Sequence, residues 1–262
     1  MNSEDNISHN VLSYPQKLSV LYVTNFDGIG GGAAFSLCAL MLDLKKRYNV
    51  LPVFLTQRET EFTEICRKNG IEVLVQRYYA WAGLGNTWQN KLKLALKRLL
   101  NKIMFVRIKI LRLVKDKHFD IVHTNSSITE YGDLIAQYLS IPHVQHIRES
   151  DWWHYSYPED YVKAVYARTA ANIVISQSNY DVYVNQRKFC SPDNTRIIYD
   201  GLEIPAPYRK RDPDSEHIHF CMTGNFMSGK NQLMAVKACE KLKTLTRNFT
   251  IHFVGDEHNN YE

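Results

Sequence analysis

The sequence predicts an α/β fold in which a parallel sheet carries helices on both faces. Three observations lead there. Short β-branched apolar runs alternate with longer segments whose apolar positions recur at helical spacing. The apolar runs lack the in–out alternation of a sheet with one wet face, so they read as strands buried on both sides. The alternation is then interrupted once, by a polar, proline-rich stretch, and begins again.

LSVLYVTN (18–25) is the first strand, FDGIGGG a tight turn, and AAFSLCALMLDLKKRY (33–48) the first helix. VLPVFLT (50–56) is the second strand. A polar helix, ETEFTEICRKNG, follows and is capped by Gly70 before the strand IEVLVQ. FDIVHT, PHVQHI, ANIVIS and TRIIYD continue the strands, with helices around 128–139, 158–170 and 178–188. These elements form one Rossmann-like domain over 17–204, after a polar leader at 1–16. PAPYRKRDPDSE (205–216) has no apolar period and reads as a linker. HIHFCMTG, NQLMAVKACEKLKTL and FTIHFVGD then open a second domain over 217–262. One βαβ unit cannot bury a core of its own size, so this domain is expected to be incomplete.

Residues 88–117 are expected to form one long helix. Leu92, Leu96, Leu99, Ile103, Val106, Ile110 and Val114 fall on one face, and Lys91, Arg98, Lys102 and Lys109 on an adjacent stripe. Ten bases and one acid lie between Lys91 and Lys117, while the rest of the chain holds 22 bases and 26 acids. The apolar face is expected on the sheet. The bases are too one-sided for an ordinary solvated face and predict contact with an anionic membrane surface. Nucleic acid is not expected, because between Lys91 and Lys117 Phe105 alone offers a stacking ring and no binding module is recognisable.

Five scattered cysteines without a CxxC pair argue for a reducing compartment and against a disulfide framework or zinc site. No apolar run reaches the ~18 residues of a membrane span, and the leader lacks the order of a secretion signal. The expected location is cytoplasmic, peripheral to the inner face of the cell membrane.

Gly30, Gly31 and Gly32 sit where a strand meets a helix, a position that lets backbone approach a ligand and offers helix N–H groups to an anion. The spacing is not GxGxxG, and no acid ends the second strand to hold a ribose, so a dinucleotide-dependent enzyme is the weaker reading. A ligand-free tight turn is the bland one.

With these motifs in order, the chain resembles family-four glycosyltransferases, retaining enzymes of the GT-B architecture. DGIGGGAAFSLCAL is similar to their opening turn and helix, and FDIVHTNSS (119–127), with Asn125, to a strand end facing the cleft. PHVQHIRES (142–150) is similar to the strand whose terminal His lies near the reacting sugar. RIIYDGLE (196–203) resembles the segment closing the first domain, MTGNFMSGKNQLMAVKA the donor-phosphate loop, and HFVGDEH the strand that follows. The resemblance implies His146 beside the transferred sugar, with Arg148 and Glu149 as cleft neighbours. It makes Gly224, Asn225 and Lys230 the donor-phosphate group, with Lys230 stabilising the leaving diphosphate. His123 reads as strand-end packing, and the DWWHY run (151–155) as either a sugar-stacking or a self-packing loop.

Two departures stand out. Asn225 occupies the position where the family usually has Arg, which removes one fixed charge. The family's E-x7-E pair is not found before Glu262, and Asp256, Glu257 and Glu262 lack its spacing. The resemblance implies a co-substrate, a nucleotide sugar of the uridine-diphosphate kind, with no cofactor and no metal. The acceptor would be a lipid-linked saccharide or polysaccharide, and activity is expected to be impaired. The other reading is a non-catalytic acceptor-binding or membrane-docking remnant.

Overall fold

The computed structural model describes residues 17–25, 32–79, 88–102, 104–149, 159–201, 217–226 and 228–255. The chain divides into two compact units, Met1–Gly201 and Leu202–Glu262. The α/β class expected from the alternation is the one found.

In the first unit β1 (Leu18–Val23) leads to α1 (Gly32–Arg47), β2 (Val50–Thr56), α2 (Glu61–Lys68) and β3 (Glu72–Val75). Two helical segments follow, α3 (Trp88–Lys102) and α4 (Met104–Val114). Next come β4 (Ile121–Thr124), α5 (Tyr131–Leu139), β5 (His143–Ile147) and α6 (Glu159–Ala167). β6 (Ala171–Val174), α7 (Gln177–Tyr180) and β7 (Thr195–Ile197) complete the unit. The seven strands are parallel in the order β3-β2-β1-β4-β5-β6-β7. The chain builds outward from β1 in one direction, then returns to its other side at β4. The crevice at that reversal is where open parallel sheets bind ligands.

Each face buries its own cluster. Val20, Tyr22 and Phe54 pack under α1 and α2 with Leu37, Met41 and Phe62. On the opposite face Leu21, Val23 and Val122 pack against Ile110 and Val114 of α4 and Ile135 of α5. Consecutive residues of β1 thus enter opposite cores, which is why its sequence is apolar without alternation. A third cluster joins Val162 and Tyr166 of α6 to Val174, Tyr183 and Phe189. The helix expected at 178–188 begins as α7, capped by Ser176, whose Oγ accepts from Asn179 N at 3.1 Å. It continues as a π-helical stretch over Asp181–Gln186, closed by Arg187 N donating to Val182 O at 2.9 Å.

The expectation for 88–117 needs correction in what covers its apolar face. Helix is described over α3 and α4, Trp88–Lys102 and Met104–Val114. Ile110 and Val114 of α4 join the core against the sheet. Leu92, Leu96 and Leu99 of α3 are 63%, 56% and 58% exposed rather than packed. The reason is length. The residues of α3 and α4 together amount to about 39 Å of helix, well beyond the ~23 Å of even the seven-residue strand β2, so they cannot all lie over the layer.

The second unit consists of β8 (Ile218–Thr223), a 3-10 turn at Ser228–Lys230, α8 (Gln232–Leu242) and β9 (Phe249–Val254), with β8 and β9 parallel. Gln232 is its only buried residue among those described.

One contact fixes the distance between α5 and the sheet. A Cβ added at Gly132 would stand 1.6 Å from Thr124 Oγ1 and 3.0 Å from His143 Nε2. Gly132→Ala is therefore expected to lower unfolding free energy by about 1–3 kcal/mol, the usual range for overpacking. Urea unfolding measures it, and an unchanged midpoint would mean that α5 can stand off the sheet without loss.

Candidate functional site at the sheet switch point

The parallel register brings the ends of β1, β4 and β5 level. Val23 lies beside Thr124, and Thr124 beside Gln145. Three aromatic rings form a row across these strands on the α1 face. Tyr22 and His123 have ring centroids 5.1 Å apart, and His123 and His146 5.4 Å apart. His123 Nε2 and His146 Nδ1 are 3.3 Å apart, so one ring donates to the other. His146 Nε2 is buried without a hydrogen-bond partner among the described residues, and the residue is only 5% exposed.

Burial sets the charge of this row. It holds His123 well below the ordinary imidazole value, helped by nearby His146 and Arg148. His146 is pushed down to about 3 by burial and then by Arg148. On the other face His143, pushed down to about 4 by burial and then by Arg168, meets Thr124 Oγ1 at 2.8 Å. All three imidazoles are neutral near pH 7.

Beyond the rings lie the polar groups that close the strands. Asn125 Nδ2 donates to Ala33 O, in the first turn of α1, at 3.2 Å. Its Oδ1 accepts from Arg148 Nε at 2.6 Å. Arg148 Nη1 also donates to both oxygens of Asp200, at 2.8 Å each. Glu149 turns inward. Ser126 Oγ donates to its Oε1 and Ser127 N to its Oε2, both at 2.8 Å, and Asn179 Nδ2 donates to its carbonyl at 3.2 Å. A buried carboxylate held in this way shapes the loop after β4.

The sequence candidates therefore divide. Asn125, His146, Arg148 and Glu149 come together at the ends of β4 and β5, and Gly32 begins α1 near them in the hydrogen-bond chain. Gly30, Gly31 and the DWWHY run lie outside the described residues. His123 sits in the same row as His146, packed between it and Tyr22 and hydrogen-bonded to it. Asp200 went unnoticed as a site residue. It lies within the RIIYDGLE segment, but a partner 52 residues away leaves no local signal.

In the second unit Gly224, with φ +145°, follows β8 in a backbone conformation that favours glycine. A Cβ at Gly255 would come within 2.1 Å of Gly224 O. Gln232, at the start of α8, donates from Nε2 to Asn225 O at 2.9 Å and so holds the turn closed. Lys230 is exposed, and its stem passes beside Gly224.

Of the basic stripe, Lys91 and Lys109 are exposed, and Arg98 and Lys102 belong to α3. No helix among the described residues is long and apolar enough to cross a membrane.

Comparison with known proteins gives a family and a fold. A family model described as Glycosyltransferase Family 4 matches residues 31–204. No curated protein matches the sequence. Among solved structures, Anabaena HepE in complex with UDP and glucose is 14% identical with a TM-score of 0.62, the match covering 92% of this chain and 62% of that one. The glycotransferase of kitacinnamycin is 11% identical with a TM-score of 0.55, covering 91% and 66%. A glycosyltransferase from Rickettsia africae ESF-5 is 12% identical with a TM-score of 0.53, covering 91% and 69%. The chain thus spans about 62% of the length of HepE. These likenesses show the GT-B fold.

The depressed imidazoles link stability to pH. Above about 6.5 neither the folded nor the unfolded state protonates them. As pH falls from 6.5 towards 4 and then 3, the unfolded chain takes up protons that the folded chain refuses. Stability should fall over that window by up to ~1.4 kcal/mol per pH unit for each histidine, then level off. Urea midpoints from pH 7.5 to 4 measure this, and a His146→Gln/His143→Gln variant should show a shallower slope. Equal slopes would sink the assignment.

Proposed function

The chain belongs to glycosyltransferase family 4, and we propose that it transfers a sugar from a uridine-diphosphate-linked donor to a lipid-linked saccharide or polysaccharide at the cytoplasmic face of the membrane. One observation carries the reading: a buried imidazole whose Nε2 has no partner among the described residues, His146, lies near the end of β5, close to the sheet's switch point. An isolated buried polar atom is costly unless something meets it, and a sugar hydroxyl is a partner of the right size and polarity. The first unit would hold the acceptor and the second the donor.

As the bond from the anomeric carbon to the diphosphate lengthens, the carbon becomes cationic and the leaving oxygens gain charge. Lys230 would meet that charge, with N–H groups of the Gly224–Asn225 turn beside it. His146, being neutral, would position the transferred sugar rather than neutralise phosphate. Gly30, Gly31, Gly32 and Asn125 would line the acceptor side. Retention of configuration is proposed on the family resemblance.

The membrane face rests on α3. Its exposed Leu92, Leu96 and Leu99 run alongside Lys91, and burying them in lipid would gain roughly 1.5–3 kcal/mol each. Attraction to anionic headgroups adds about 1 kcal/mol per lysine near the surface.

A second reading, a non-catalytic acceptor-binding module, is favoured by Asn225, which cannot supply the fixed charge of an arginine.

Two measurements test these readings. Isothermal calorimetry with UDP should detect binding at ~1 mM, and Lys230→Ala should weaken it at least ~10-fold through loss of a charge-assisted bond. No heat at that concentration would favour the non-catalytic module. In vesicle sedimentation, Leu92→Ser/Leu96→Ser/Leu99→Ser should lose about 10-fold or more of the binding to vesicles containing about a third phosphatidylglycerol. Unchanged sedimentation would remove α3 as the docking helix.

A further inference from the structure

The hydrogen bonds at Arg148 extend well past the ends of the strands. In one direction Arg148 Nε reaches Asn125 Oδ1 at 2.6 Å, and Asn125 Nδ2 reaches Ala33 O at 3.2 Å. Ala33 is the second residue of α1 and follows the glycine-rich turn directly. In the other direction Arg148 Nη1 bonds both oxygens of Asp200 at 2.8 Å. Asp200 stands one residue before Gly201, where the first unit ends. Upstream of it the backbone is still tied to the sheet, with Ile198 N donating to Val174 O at 2.9 Å. One guanidinium thus lies between the entry of α1 and the strand-to-crossover backbone.

The geometry leaves little room for Arg148 to serve a substrate directly. Its side chain is 5% exposed, and Nε and Nη1 both have partners within the protein. Those donors point in directions fixed by one rigid plane. A shift of Asp200 therefore turns the plane and moves the donor given to Asn125. An ammonium has no such fork and could not hold both acceptors in a set relation. Secondary structure does not require this path, since all three hydrogen bonds donated by the Arg148 guanidinium go to side chains.

We propose that Arg148 is a positioning residue that couples the first turn of α1 to the backbone leaving the first unit. A displacement at Asp200 is felt at Ala33 through two side chains, and the reverse holds equally. Occupation of the cleft beside α1 then alters the order of residues 198–201 without touching them. The coupling does not depend on sugar transfer and would operate in the non-catalytic module as well.

Amide hydrogen exchange on the whole chain tests it without any ligand. The reporter at α1 is the Leu37 amide, which by the helical i→i−4 pattern donates to Ala33 O. The reporter at the other end is the Ile198 amide. Asp200→Ala should speed exchange at Leu37 about five-fold or more, as local opening becomes easier, while amides of β2 keep their rates. Asp200→Glu, which retains the carboxylate, should restore most of that protection. Asn125→Ala should speed Ile198 in the reciprocal sense. A response to Asp200→Ala confined to Ile198, with Leu37 unchanged, overturns the coupling. Should Asp200→Ala fail to fold, Arg148→Lys keeps the charge and loses the fork. Both reporters should then quicken, and unchanged rates at both would overturn the proposal equally.

Discussion

A guanidinium withdrawn from water has to be met by acceptors, and at Arg148 that requirement organises the whole cleft end of the first unit. Leaving such a charge buried and unpaired typically costs about 3–5 kcal/mol. Asn125 and Asp200 supply the acceptors, and each is thereby held in place. Asn125 in turn holds the start of α1. The neighbouring Glu149 solves the matching problem for a buried carboxylate with Ser126 Oγ and the amide of Ser127, and so shapes the loop after β4. Two opposite charges, adjacent in sequence, point apart and stiffen two different sets of segments. Each of these charges is met by partners distant in the chain.

The sequence made the first unit legible to the extent that burial leaves a pattern. Strands apolar on both faces, separated by helical periodicity, give a parallel sheet, and the observed order follows with a switch at β1. The same two-sided burial hides register. Where strands show no in–out alternation, nothing in the residues says that His123 and His146 share a face and lie 3.3 Å apart. The pairing of Arg148 with Asp200 is hidden for a similar reason, since it depends on two strand ends meeting across 52 residues of chain. Each strand end can be read from its own residues, but which side chains meet across strands depends on the fold.

The basic helix shows a different limit. Its apolar period is real over Leu92 to Val114, yet periodicity identifies a face without saying what covers it. Ile110 and Val114 are covered by the sheet, while Leu92, Leu96 and Leu99 are not. A sheet of short strands can bury only as much helix as its own depth allows. Whatever exceeds that depth must meet solvent, lipid or another protein. The concentration of bases on the same segment is what motivates the proposed anionic surface, which would offer both an apolar interior and matching charge.

The neutral histidines constrain the chemistry of the cleft further. Burial that pushes His146 down to about 3 leaves it neutral near pH 7. It can donate or accept one hydrogen bond at Nε2, according to which ring of the pair carries the shared proton. Such a group orients a hydroxyl well and stabilises a developing anion poorly. Under the proposed sugar transfer, charge stabilisation for a leaving diphosphate would have to come from groups other than this ring row. Lys230, whose stem passes beside Gly224, is the candidate, while Asn225 adds no charge. Burial leaves the ring row dry and neutral, whereas the Lys230 side chain stays in water.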